Sequence, residues 1–102
     1  MTIKKTYFKT KSTCKVNFRL PKNVVNEAST VNLVGEFNQW NTKATPLKKL
    51  KNGTFTTDLE LEKGRSYQFR YLIDQQRWEN DSQADGYVTT PFGDSENCVI
   101  SL

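Results

Sequence analysis

Apolar and polar residues alternate along most of this chain, and no helical period continues for ten residues. Such alternation is typical of strands that bury one face and expose the other. The first example has apolar side chains at Cys14, Val16, Phe18 and Leu20, with polar residues between them and Pro21 directly after. We therefore predict a half-buried strand over 14–20, followed by a polar loop over 22–30 that has room for one helical turn.

A second strand is predicted over 31–37. Its buried face holds Val31, Leu33 and Phe37. Gly35 lies within the strand and indicates a bulge or a close approach to another backbone. A turn-rich loop over 38–46 follows this strand and ends at Pro46.

A hairpin is predicted around Asn52-Gly53, with arms over 47–51 and 54–61. Asn-Gly favours a type I′ turn, because both central residues of that turn need a positive φ. In the second arm, the side chains expected on one face are Phe55, Thr57, Leu59 and Leu61.

The second half of the chain predicts three more strands. The longest points one row of side chains inward, namely Tyr67, Phe69, Tyr71 and Ile73, and the other outward, namely Gln68, Arg70, Leu72 and Asp74. A turn at Gln75-Gln76 leads to a short strand over 77–79, then an irregular loop over 80–96 and a final strand over 97–102. Six to eight short strands joined by turns predict an all-β antiparallel sandwich.

The length of 102 residues fits one domain with one core. Lys and Arg total 15 against 11 for Asp and Glu, which gives a net charge of +4. Five of the lysines lie within the first fifteen residues. We therefore interpret residues 1–11 as a basic, solvated tail and 12–102 as the domain; an arm that binds nucleic acid is the less favoured alternative.

The lack of a signal-like or membrane-spanning segment and the two cysteines predict the cellular compartment. Residues 1–11 have no apolar signal-peptide core, and no run approaches the ~18 apolar residues of a membrane span. We interpret Cys14 and Cys98 as free, buried thiols in a reducing, cytoplasmic compartment. A disulfide between two edge strands is the alternative. Histidine is absent, which removes the commonest general base and metal ligand.

Both tryptophans of the chain stand among polar residues. Trp40 lies within Asn38-Gln39-Trp40-Asn41, and Trp78 lies within Arg77-Trp78-Glu79-Asn80-Asp81. A sugar-binding surface needs a flat apolar face surrounded by hydrogen-bonding groups, and an indole ring in such company provides both. The polar flanks favour this interpretation over a tryptophan buried in the core.

A series of short motifs in a fixed order resembles one family of sugar-binding domains. Its first piece, Gly35-Glu36-Phe37-Asn38-Gln39-Trp40, is similar to a Gly-acid/Ser-Phe-Asn-x-Trp signature. The other pieces are Gly53-Thr54-Phe55, the stretch from Glu62 to Tyr71, Ile73-Asp74 with Trp78, Asn80-Asp81, Pro91-Phe92-Gly93 and the stretch from Glu96 to Val99. Together they cover about residues 30–102 and resemble the isoamylase-type α-glucan-binding modules. These modules occur in glycogen branching and debranching enzymes and in the β subunit of AMP-activated protein kinase.

The resemblance implies an immunoglobulin-like, early-set β-sandwich that binds glycogen or starch-like chains without catalysis. The family's two stacking tryptophans fall on Trp40 and Trp78. Its strand lysine falls on Arg70, and the asparagine of its final strand falls on Asn97. An apolar residue that presses into a curved glucan in some members falls on Phe92. From the residues alone, the alternatives are a solvated strand charge at Arg70, a turn-capping amide at Asn97 and a minor core residue at Phe92.

The chain departs from the family pattern near its second tryptophan. Gln75 stands where the family has glycine after Asp74, and one residue is added before Trp78. We therefore expect the second platform to sit at a different angle. Arginine in place of lysine at position 70 changes the hydrogen-bond geometry. Asp74 is interpreted as a turn residue that accepts backbone N–H groups.

Catalysis is not expected. Glycoside hydrolysis uses two carboxylates about 5–10 Å apart, and Glu79 with Asp81 is the pair whose spacing suits that role. No cleft-forming segment, nucleophile motif, phosphate loop or metal-ligand spacing accompanies the pair. We predict no enzymatic activity, no metal and no cofactor.

The leading hypothesis is a carbohydrate-binding module for glycogen or related α-glucan. A glycogen-metabolising enzyme or a kinase is the protein partner that the resemblance suggests. The alternative is an interaction or regulatory module of the same fold that does not bind sugar. A third hypothesis, binding of single-stranded nucleic acid by aromatic and basic residues, would show steep salt dependence. We expect neither a nucleic acid nor a membrane as partner.

Overall fold

Two antiparallel β-sheets enclose one apolar core in the computed structural model of the chain, which describes residues 1–90, 93 and 95–102. The fold is nearly all β and agrees with the predicted early-set, immunoglobulin-like sandwich. In chain order, the elements are β1 (Thr2–Tyr7), β2 (Thr13–Leu20), α1 (Lys22–Val25), β3 (Val31–Gly35), a 3₁₀ turn (Glu36–Asn38), β4 (Lys48–Lys49), β5 (Phe55–Glu62), β6 (Ser66–Ile73), β7 (Arg77–Glu79), β8 (Gly86–Thr89) and β9 (Glu96–Ser101).

The first sheet has the order β1-β2-β5-β4, and the second has the order β3-β6-β9-β8. In the second sheet β6 pairs with β3 on one side. On its other side, β6 pairs with β9 from Ser66 to Phe69 and with β7 from Tyr71 to Ile73. Arg70 therefore lies where the neighbouring strand changes from β9 to β7.

The predicted inward row of β6 forms the centre of the core. These side chains are buried together with the apolar row of β2, namely Cys14, Val16, Phe18 and Leu20. Phe69 contacts Phe18 edge-on at 5.5 Å between ring centroids, and Tyr71 in the same way at 5.7 Å. Edge-to-face pairs at these distances add to the energy of area burial.

Gly35 brings the backbone of β3 into close contact with β6. A Cβ atom there would lie 2.6 Å from the carbonyl oxygen of Gln68, 2.8 Å from Cβ of Phe69 and 2.9 Å from the ring of Phe37. The backbone of Gly35 is extended, at φ −171°, so the requirement for glycine is steric rather than conformational. This confirms the predicted close approach.

The predicted solvated tail is wrong for residues 2–7. Thr2–Tyr7 pairs with β2 along its whole length as the edge strand β1. Lys5 Nζ also lies 2.7 Å from Asp85 Oδ2, beside the second sheet. Lys4 and Lys5, two of the lysines that suggested a tail, lie on β1. Lysines are typical of edge strands, where they discourage pairing with other chains.

Two other local predictions need correction. Residues 86–89, expected within an irregular loop, form the edge strand β8 and pair with β9. At the predicted type I′ turn only Gly53 has a positive φ, of 87°, while Asn52 does not. Asn52 instead accepts the N–H of Thr54 through its side chain at 3.0 Å, as asparagine often does in turns.

Cys14 and Cys98 are both free and buried, as predicted. Among the described residues, no helix has the length and apolar character that crossing a membrane requires. Phe92 lies outside the described residues.

Candidate functional site

Arg70 and Trp78 meet on the outer face of the second sheet. The register pairs Arg70 with Val34 and Trp78 with Leu72, and cross-strand partners share a face of the sheet. That face is opposite to Tyr71, so both side chains point away from the core. The Arg70 guanidinium carbon lies 5.3 Å from the centre of the Trp78 ring, within the range of a cation–π contact. Trp78 remains 41 % exposed.

Asn97 lies beside this pair. The β6–β9 register, continued by one residue from Phe69 and Cys98, places Asn97 opposite Arg70. Its Nδ2 donates to Gln68 Oε1 at 3.2 Å. Asn97 is only 8 % exposed, so most of its surface is already covered by the protein.

Asn80 is a further polar residue beside Arg70, and in the sequence it stands out only as part of the Asn80-Asp81 motif. The β6–β7 register, continued by one residue from Tyr71 and Glu79, places it next to Arg70 on the same side of β6 as Asn97, away from β3. Its Nδ2 donates to the carbonyl of Glu96 at 3.0 Å. Within the described part of the chain, its Oδ1 and the Nε of Arg70 are buried without a hydrogen-bond partner. The sequence pattern does not indicate these two atoms, because their burial depends on the position at which the neighbour of β6 changes from β9 to β7.

Trp40 is held in an uncommon backbone conformation. It follows the 3₁₀ turn, and its N–H donates to the carbonyl of Gly35 at 2.9 Å. Gln39 and Trp40 both adopt the left-handed region, at φ 56° and 58°, which costs about 1–2 kcal/mol per non-glycine residue. Trp40 is nevertheless 39 % exposed. A strained backbone that presents a large apolar side chain to solvent is a feature of binding sites.

Asn38 fixes the loop that presents Trp40. Its Oδ1 accepts the N–H of Gly35 at 3.1 Å. Its Nδ2 donates to the carbonyl of Leu33 at 2.9 Å and to Thr45 Oγ1 at 3.1 Å. The sequence suggested Asn38 as a polar neighbour of a sugar, whereas the structure uses it as a support. Its position in a turn was the signal for this role, because asparagine side chains commonly bond nearby backbone there.

The turn between β6 and β7 is anchored through its first residue. Asp74 Oδ1 accepts the N–H groups of Ser29 and Thr30 at 2.8 and 2.9 Å, which confirms its predicted role. The bond from Thr30, and after it the bond from Ser29, lower the pKa of the Asp74 carboxyl most strongly. The central residues of the turn are Asp74 and Gln75, at φ 53° and 58°, rather than the predicted Gln75-Gln76.

The other central residue of this turn links it to the loop of Trp40. Gln75 Nε2 donates to the carbonyl of Thr42 at 2.9 Å. Asn32, Val34 and Leu72 point to the outer face but are at most 6 % exposed. Their burial shows that chain outside the sheet covers this part of the face. The loop of Trp40 is hydrogen-bonded to both sides of this covered area, to Gly35 through the N–H of Trp40 and to Gln75 through the carbonyl of Thr42.

Glu79 and Asp81, the two carboxylates whose sequence spacing suits hydrolysis, each bond to a neighbouring side chain. Asp81 is fully buried, and its Oδ2 accepts the hydroxyl of Tyr71 at 2.7 Å. Burial first, and then Asp81, raise the pKa of Tyr71. Burial also raises the pKa of Cys98, whose sulfur accepts the N–H of Asp81, to about 11. Glu79 is exposed to solvent in part and pairs with Arg77 at 3.1 Å.

Across the ranges 1–90 and 95–102 and at residue 93, no group of three or more His, Cys, Asp or Glu side chains could hold a metal ion. The outer face of the second sheet carries an aromatic ring beside hydrogen-bonding groups. We use the name platform surface for Arg70, Trp78 and Asn97 on this face together with Trp40 on the loop that is hydrogen-bonded to the β6–β7 turn.

Comparison with known proteins identifies the family of the domain. The model of the family described as the glycogen recognition site of AMP-activated protein kinase matches residues 23–100. A comparison with curated proteins found no significant match. The matched range includes all four residues of the platform surface and most of the sandwich. The chain belongs to the family of the glycogen recognition site of AMP-activated protein kinase, which is a family of carbohydrate-binding modules.

Proposed function

We propose that this protein binds glycogen or a related α-glucan through the platform surface and does not cleave it. The observation that carries the proposal is the pair of exposed tryptophans, at 39 and 41 %, in contrast to the buried core aromatics Phe18, Phe55, Tyr67, Phe69 and Tyr71. Glucose rings have apolar faces and hydroxyl edges. Indole rings stack on those faces, and the groups around them bond to those edges.

Each residue has a role in this proposal. Trp40 and Trp78 stack on glucose rings of one short helical stretch of glucan. Arg70, held against the Trp78 ring at 5.3 Å, donates from its guanidinium group to sugar hydroxyls. Asn97 contributes an amide beside Arg70. Phe92, carried by the resemblance alone, presses into the curved chain.

Weak binding is expected of such an open, polar surface. A dissociation constant between ~10 μM and ~1 mM corresponds to about −4 to −7 kcal/mol. Hydrolysis is not part of the proposal, because Asp81 is buried and bonded to Tyr71. A carboxylate in that position cannot reach a glycosidic bond on the outer face.

We also propose a cytoplasmic location and a partner among glycogen-metabolising enzymes or kinases. The two free, buried thiols support a reducing compartment. The partner proposal rests on the family's association with AMP-activated protein kinase.

The proposed function is tested by co-sedimentation with glycogen. The protein should sediment with glycogen, and the double variant Trp40→Ala/Trp78→Ala should remain in the supernatant. Tyr7→Ala is the matched control, because Tyr7 is also an exposed aromatic side chain, at 53 %, but lies on β1 of the other sheet. It should sediment as the unchanged protein does. Failure of the unchanged protein to sediment would favour the interaction module without sugar binding.

A further inference from the structure

Gln75 occupies a backbone position that favours glycine. Its φ is 58°, and non-glycine residues pay a conformational cost in this left-handed region. Asp74 beside it shares this conformation but is anchored by two backbone N–H groups. Glycine is also the residue that the resemblance places after Asp74. A glutamine here is therefore unfavourable for the turn itself. A contact made by its side chain is needed to explain its presence.

The Gln75 side chain connects the two segments that carry the tryptophans. Its Nε2 donates to the carbonyl of Thr42 at 2.9 Å across 33 residues of sequence. Thr42 lies two residues after Trp40, and Gln75 lies three residues before Trp78. Glycine has no side chain that could make this bond. Asp74 also fixes the β6–β7 turn to the start of β3, because its carboxylate accepts the N–H of Thr30.

We propose that Gln75 is a positioning residue, which fixes the Trp40 loop against the β6–β7 turn and so sets the separation and angle of the two indole rings. The proposal rests on the proposed function, since it concerns how the same surface grips one glucan chain. A chain that spans both rings benefits from rings held in place before it binds, because less motion is lost on binding. A sugar that covers one ring does not depend on their separation.

The test compares Gln75→Gly and Gln75→Asn with the unchanged protein. Glycine relieves the backbone cost, and asparagine tolerates the left-handed region but is one methylene too short. Both variants should bind maltoheptaose about three- to tenfold more weakly, the effect of one lost hydrogen bond. Affinity for maltose, which covers one ring, should be unchanged. The Tm of Gln75→Gly should stay level or rise, which a purely structural role of the side chain would not produce.

Gln76→Gly is the matched control, because Gln76 is the same residue type one position along and does not have a positive φ. It should keep full affinity for maltoheptaose. Calorimetry measures maltoheptaose binding, NMR titration measures maltose binding, and amide hydrogen exchange without sugar reports the Trp40 loop. Exchange over 40–44 should be faster in Gln75→Gly than in the unchanged protein, with β9 unaffected.

The two proposals fail in different ways. If the unchanged protein binds maltoheptaose and Gln75→Gly binds it equally well, the positioning role of Gln75 is overturned and the proposed function stands. Equal weakening of maltose and maltoheptaose would also overturn it, because the effect would then lie at one ring. If the unchanged protein binds no glucan, both proposals fall, whatever the exchange of the loop.

Discussion

Trp40 and Trp78 leave about three-fifths of their surface within the protein, at 39 and 41 % exposure, yet neither belongs to the apolar core. We expect Trp40→Ala and Trp78→Ala each to weaken glucan binding by about 2 kcal/mol, as truncation of a central tryptophan does at other contact surfaces. Stability should change little. Thermal melts and glycogen binding would be measured on the same samples. A fall in Tm of more than about 10 °C in either variant would place that indole in the core, because ~1 kcal/mol shifts Tm by about 4–8 °C in a domain of this size.

Arg70 is predicted to matter for the ligand more than for the fold. Its stacking on Trp78 is worth about 0.5–1 kcal/mol where it is partly exposed, so Arg70→Ala should lower the free energy of unfolding by no more than this. If the guanidinium donates to sugar hydroxyls, the same change should weaken binding by about 1–3 kcal/mol. Arg70→Lys should restore part of the loss. Calorimetry with maltoheptaose and urea unfolding measure the two quantities, and unchanged affinity in Arg70→Ala would remove Arg70 from the site.

Strand parity predicted the outward position of Arg70, and the polar flanks of Trp78 predicted its exposure. It did not predict the support of Trp40 by Asn38 or the link from Gln75 to Thr42. Both depend on hydrogen bonds to backbone carbonyls, and any residue type can provide a carbonyl. The burial of Asn80 Oδ1 and Arg70 Nε likewise depends on how three strands meet.

At the scale of the secondary-structure elements, β3 depends on Gly35. Gly35→Ala should lower the free energy of unfolding by about 1–3 kcal/mol, the usual effect of overpacking. The cause is the Cβ atom, which would lie 2.6 Å from a carbonyl oxygen of β6. Urea unfolding measures the change. Gly86→Ala in the edge strand β8 is the control, because a Cβ atom there meets nothing within 4 Å. Equal stability of Gly35→Ala and the unchanged protein would contradict the close approach of β3 and β6.

The strands with one buried face were predicted within a few residues, because alternation reports burial directly. The edge strands β1 and β8 were not. Five of the six residues of β1 are polar or carry a hydroxyl, and β8 has exposed Tyr87 and Val88. These two strands bury little on either face, so their sequences carry little periodic signal. Each pairs with the next strand along the chain, β1 with β2 and β8 with β9. This pairing, rather than alternation within their own sequences, defines them as strands.

At the scale of the whole molecule, stability should depend on pH mainly in acid. Hydrogen bonds from Thr30 and Ser29 lower the pKa of Asp74, and those from Thr13 and Lys11 lower the pKa of Glu60. The pKa of Asp85 is lowered as well, since Lys5 and the N–H of Ser101 outweigh the opposing effect of burial. A lowered pKa in the folded state contributes stability above the unfolded-state value, and this contribution is lost as pH falls through the folded-state value.

The free energy of unfolding should therefore be nearly constant from about pH 8 to about pH 5, because the chain has no histidine. It should fall below about pH 4.5, where the unfolded chain begins to bind more protons. Urea unfolding across this range measures the curve. The free energy of unfolding of Asp74→Asn should fall less steeply in acid than that of the unchanged protein. A steep loss of stability near neutral pH would contradict the assignment of these carboxylates.

Glucan binding through the platform surface is tested most directly by NMR titration of the indole groups. The chain has two tryptophans, so its spectrum contains two indole N–H signals, one for each proposed platform. Titration with maltoheptaose to concentrations above ~1 mM, the weak limit expected of such a site, should move both signals. The response should be nearly the same at low and high salt, because the ligand is neutral. If neither indole signal moves at saturating maltoheptaose, this surface does not bind α-glucan.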